Sequence, residues 1–139
     1  MCEHHHYTDE HLVEWHCRRV PAEGTPLAEI GLWIGELLAG WAPATVFDVQ
    51  LLACELVGHV LTHAGGAGEI ALTEPVPGVA RVEVTALAHP AKVVMPCAHE
   101  DTACTAARAM VTSLTSGHGT TFSARGPAVW GEVISVATR

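Results

Sequence analysis

Apolar positions recur along the chain with two different periods, and the changes between them mark out its elements. Residues 11–21, HLVEWHCRRVP, alternate and contain Val and Trp, which predicts an opening strand. Residues 25–41, TPLAEIGLWIGELLAGW, place apolar side chains at 27, 30, 34, 37, 38 and 41, a helical stripe with Thr25 as N-cap and Pro26 in the first turn. Pro43 interrupts that stripe. A longer helix is predicted over 45–64, capped by Thr45 and stopped by Gly65 and Gly66, with Val49, Leu52, Leu56 and Val60 facing a sheet. Two strands follow at 68–74 and 79–87, joined by a turn at Pro77–Gly78. Residues 88–100 read as irregular. Asp101 is placed to cap a helix over 102–115, which Gly117 and Gly119 end. Strands at 119–124 and 128–137, with a turn at Arg125–Gly126–Pro127, complete the chain. The order β-α-α-β-β-α-β-β predicts an α+β two-layer sandwich, with helices on one face of a mixed, mostly antiparallel sheet.

Composition narrows the function classes. At 139 residues the chain is expected to form one domain over 11–139, after a flexible His-rich tail over 1–10. Seven scattered Lys and Arg and a net charge of −8 argue against a phosphate-tracking nucleic-acid surface and favour solubility or a basic partner. No window of 18 apolar residues is free of charge, so no membrane span is expected. MCEHHHYTDEH lacks the basic-then-apolar order of a secretory signal. Five cysteines, an odd number without scaffold spacing, suggest a reducing cytoplasm. The chain has a single lysine, Lys92, and no asparagine.

The segment FDVQLLACELVGHVLTHAGG resembles one that reads approximately D-D-A-x-L-L-V-S-E-L-V-T-N-A-V-R-H-A in the histidine-kinase-like ATPases, specifically the anti-sigma-factor serine kinase group abundant in actinobacteria. RVEVTALAHP is similar to that family's R-V-E-V-x-D-x-S-P, and AVWGEVISV to its closing T-V-W-x-E-L strand. The resemblance spans 11–137. It implies the histidine-kinase-like ATPase fold, regulation through a sigma-factor-like or anti-anti-sigma-like protein partner, and a homodimer. It also implies a degenerate nucleotide site. The family's magnesium-binding Asn corresponds to His59, and its adenine-reading Asp to Ala86, whose methyl group accepts no hydrogen bond. The glycine-rich phosphate loop corresponds to DTACT, where Asp101 puts negative charge beside the phosphate position. Glu55 corresponds to the catalytic carboxylate and is kept. His63 matches a structural signature. ATP with Mg²⁺ is therefore not expected to bind, and no cofactor is expected.

Three readings of the pocket remain open. Glu55 and His59, four apart on one helix face, are either a paired seam in a protein-binding module or an acid/base couple in a small enzyme that reuses the emptied pocket, for example in a biosynthetic pathway. The third is a metal site, in which Glu55, His59 and His89 or His99 supply ligands that zinc or iron accepts. The N-terminal run CEHHHYTDEHLVEWHC holds further ligand types, Cys2, His4, His5, His6, His11, His16 and Cys17, but neighbouring strand residues point to opposite faces, so His16 and Cys17 cannot share one ion. Cys54, Cys97 and Cys104 read as small buried hydrophobes, although Cys97 beside His99 has the composition of a nucleophile pair. Trp33, Trp41 and Trp130 read as structural, with Trp130 at a core position implied by the resemblance.

Overall fold

The computed structural model describes residues 16–21, 27–64, 68–87, 102–123 and 125–135. Five strands and three helices follow one another as β1 (His16–Val20), α1 (Leu27–Leu37), α2 (Pro43–Ala64), β2 (Gly68–Thr73), β3 (Val79–Ala86), α3 (Thr102–Leu114), β4 (Gly117–Ser123) and β5 (Gly126–Ile134). The strands form one sheet in the order β1-β2-β3-β5-β4. Every pairing is antiparallel, so the sheet is not mixed among the described residues. The molecule is an α+β two-layer sandwich, as the pattern predicts.

The layers follow from strand parity. On β3, Ala80, Val82, Val84 and Ala86 are buried, while the alternate residues are half-buried. On β5, Val129, Gly131 and Val133 are buried, and Gly131 lies against Leu52 of α2, which identifies that side as the helix-facing one. The core joins these residues to Val49, Leu52, Ala53, Leu56, Val57 and Val60 of α2 and to Ile30 and Ile34 of α1. The predicted sheet-facing stripe on α2 is the one observed.

Several local expectations are corrected. Pro43 opens α2 instead of merely separating two helices: its fixed φ suits a first turn, and the Val46 amide donates to the Ala42 carbonyl at 3.0 Å. Thr45 is therefore inside the helix and buried, and is not its cap. Gly117 is the first residue of β4, and Gly126 and Pro127 are the first two of β5. Gly126, at φ 133°, consequently pairs with Ser123 as part of β5 and does not sit in the turn. Gly78, at φ 85°, closes the β2–β3 turn as predicted, its amide donating to Glu74 Oε2 at 2.8 Å. Trp130 is not in the core. It lies on the sheet face away from the helices, across Gly117 and Gly119 and under the Arg81 guanidinium, 4.2 Å from the ring centre.

One helix, over Pro43–Thr62, is long and apolar enough to cross a membrane by length and composition alone. In this fold it is the central core helix, packed on β2, β3 and β5 and flanked by α1 and α3. Cys17 is disulfide-bonded, which removes it from the thiolate ligand types and runs against the reducing compartment suggested by the cysteine count. Thr25, Pro26, Asp101 and the His-rich tail lie outside the described residues, as do residues 11–15 of the predicted opening strand.

Candidate functional site

The long α2 helix carries its ionisable residues along one edge of the buried stripe. Asp48, Glu55 and His59 follow one another at spacings of seven and four, rotated away from Val49, Leu56 and Val60. Burial grades along that edge. Asp48 and Glu55 are half-buried, whereas His59 is only 7% exposed. His59 makes an interaction with a neighbouring group. Ion pairs among the described residues include Arg18–Glu29, Arg81–Glu83, Arg81–Glu132 and Arg125–Glu69, which are built on arginines away from this edge.

On the other side of Glu55, Cys54 turns toward α1, with its thiol 3.8 Å from the Leu27 carbonyl. Burial, and secondarily the negative charge of Glu55, push this thiol above its ordinary value of 9.0. The cysteine is half-buried, not fully buried as expected, and it is held in its neutral form.

Ala86 ends β3, fully buried and paired with Gly68 of β2. A methyl group therefore occupies the position that the resemblance assigns to a hydrogen-bonding carboxylate. His63 continues the backbone of α2, but its side chain lies outside the described residues, as do His89, Cys97, His99, Cys104 and Asp101 with their surroundings. The structure thus brings Glu55 and His59 onto one edge of α2, with Ala86 buried at the end of β3. Among the described residues no group of three or more His, Cys, Asp and Glu side chains is placed to hold a metal ion.

Two features lie outside the sequence-predicted site. A cleft of about 100 Å³ opens between the end of α1 and the β1–β2 edge, lined by His16, Leu37, Leu38, Trp41, Leu72, Thr73 and Glu74. Its lining comes from three separate segments, so no local spacing announces it. On the outer sheet face, Arg125 reaches across β3 to bond Glu69 Oε1. Glu69 is only 3% exposed, and its Oε2 is covered without a hydrogen-bond partner. Its place in GEIALT does suggest alternation, but not that the polar side of the strand would be covered.

No protein-family model matches the chain, and no curated protein matches it.

Proposed function

We propose that this protein is a regulatory module of histidine-kinase-like ATPase type whose nucleotide site has degenerated, and that it acts by binding another protein. The observation that carries the reading is Ala86. It is buried at the end of β3, where a nucleotide-binding relative would need an acceptor for the adenine amino group, and a methyl group supplies none. Two features of the chain support it. There is no asparagine to hold a magnesium ion, and His59 stands at that position as a buried, partnered side chain. Reuse of the pocket for acid/base chemistry would need His59 to open onto a cavity, and its burial favours a structural seam instead.

The partner is proposed to be a sigma-factor-like or anti-anti-sigma-like protein, with the chain itself a dimer. Neither nucleic acid nor a membrane belongs to this reading, since the few arginines are tied into ion pairs or scattered and the long apolar helix α2 forms the core of the described residues. Calorimetry with ATP and Mg²⁺ tests the degenerate site. The expected result is no binding tighter than millimolar, about −4 kcal/mol. A micromolar dissociation constant overturns the reading.

A further inference from the structure

We infer that the outward face of the α1–α2 hairpin is a docking surface for a basic amphipathic helix supplied by a protein partner. The two helices run antiparallel. Gln50 Nε2 donates to the Gly31 carbonyl at 2.8 Å, and Cys54 lies against the Leu27 carbonyl. One side of each helix is spent on the core and one on the other helix, and α2 also meets α3 along its far edge; the side of the hairpin that is left faces outward. That side is apolar. Leu32 is 69% exposed and Phe47 59%; Leu27 is exposed as well, and Leu51, one turn beyond Phe47 on α2, is half-buried. A Cβ placed on Gly31 or Gly58 would meet nothing within 4 Å, so the surface between the large side chains is open. Exposed apolar groups collected on one face mark interaction surfaces more often than single scattered ones do.

Charge selects the occupant. Helical periodicity puts Glu29 and Glu36, two turns apart, along the outer edge of α1, and Asp48 and Glu55, also two turns apart, along the far edge of α2. The apolar strip is therefore bordered by acid on both sides. Between Arg19 and Arg81 the chain has no Lys or Arg, so the hairpin supplies no cation of its own. Arg18 reaches Glu29 at 2.9 Å, which leaves Glu36 as the main anion on that edge. A second copy would set acid rows against acid rows, and an anionic lipid surface would be repelled in the same way. A helix with an apolar stripe between flanking Lys or Arg residues matches both the strip and its borders.

This inference rests on the reading of the chain as a protein-binding module. The probe is a helix-forming peptide of about 18 residues, some 27 Å long, with Leu at i, i+3, i+4 and i+7 and Lys on the flanking positions. Its twin replaces every Lys with Glu. Titration of the full chain is expected to give binding of the Lys peptide that weakens with salt, and at least about tenfold weaker binding of the Glu twin. Leu32→Asp with Phe47→Asp is expected to reduce affinity by about tenfold or more, and Glu36→Lys with Asp48→Lys to reduce both affinity and its salt dependence. Val76→Asp, at the exposed β2–β3 turn, leaves binding unchanged. Leu32 and Phe47 are exposed, so these variants keep the fold, which circular dichroism checks. Equal binding of both peptides overturns the inference, as does equal binding by the Leu32/Phe47 variant. So does self-association in sedimentation, or adsorption to neutral phosphatidylcholine vesicles, that the same double variant abolishes. Absent peptide binding together with absent ATP binding sinks this face alone. Peptide binding together with micromolar ATP binding sinks the degenerate-site reading alone.

Discussion

An alanine at position 131 would place a methyl group where the helix layer touches the sheet. A Cβ built on Gly131 meets Thr115 Cγ2 at 2.9 Å and both Leu52 Cδ atoms at 3.0 Å, which is roughly 0.5–1 Å inside an ordinary carbon–carbon contact. The atoms it meets are side-chain ends, so part of the clash relaxes, and overpacking of this kind costs about 1–3 kcal/mol. Gly131 is not among the positive-φ glycines, so alanine fits its backbone. The smaller loss of chain entropy on folding returns about 0.4–1 kcal/mol. The net expectation for Gly131→Ala is about 1–2 kcal/mol of destabilisation, a fall in Tm of about 3–7 °C for a chain of this length. Urea and thermal unfolding measure it, and a second variant supplies the control. Leu52→Ala alone opens a cavity costing about 2–5 kcal/mol. In the double variant the new methyl group occupies part of that cavity, so the two losses should sum to less than additive by about 1 kcal/mol. A Gly131→Ala protein as stable as the parent, or strict additivity in the double variant, refutes close contact between α2 and β5 at this point.

Other residues give equally direct tests. Leu56→Ala should cost about 2–5 kcal/mol. His59→Ala should cost about 1–3 kcal/mol, because a buried side chain and the interaction it makes are both removed; a cost near zero for His59→Ala in a melting experiment would mean that the ring lines a wet pocket. Arg125→Ala leaves the covered Glu69 carboxylate without its cation and should destabilise by about 3 kcal/mol, whereas an effect below about 0.5 kcal/mol would show that Glu69 is solvated. Cys54 should alkylate more slowly than an unhindered thiol at pH 8, as read by peptide mass mapping. Its raised folded-state pKa contributes stability that is fully present below the unfolded value of 9.0 and lost as pH rises through the folded one. Denaturant midpoints measured across that range, with Cys54→Ala as reference, check the sign.

The elements were readable from the chain because their causes are local. Alternation in RVEVTA and the three-to-four spacing of VQLLACELVGHV each depend on neighbours within a few residues, so strand β3 and helix α2 follow from the sequence alone. The Pro77–Gly78 turn follows for the same reason: only glycine takes its positive φ without strain. Pro43 shows the limit of local reading, since a proline that ends one helix can equally begin the next, and the choice depends on whether α2 can start at Ala42. The identity of the candidate site was legible only as a line of side chains. Helical spacing put Glu55 and His59 on one edge, but whether an edge is wet or buried depends on what another element lays against it. That is why His59 proved buried while Glu55 is half-exposed. The same dependence governs Trp130 and Gly131, neighbours on one strand. Their alternation was fixed by the chain, yet the pairing of β5 between β3 and β4 decided that the indole lies over two glycines on the outer face. It also decided that the hydrogen of Gly131 admits Leu52 on the inner one. Contacts between residues 79 positions apart have no local signature, because the chain between them costs little more to close at one length than at another. Only the packed sheet and helices settle which side chains meet.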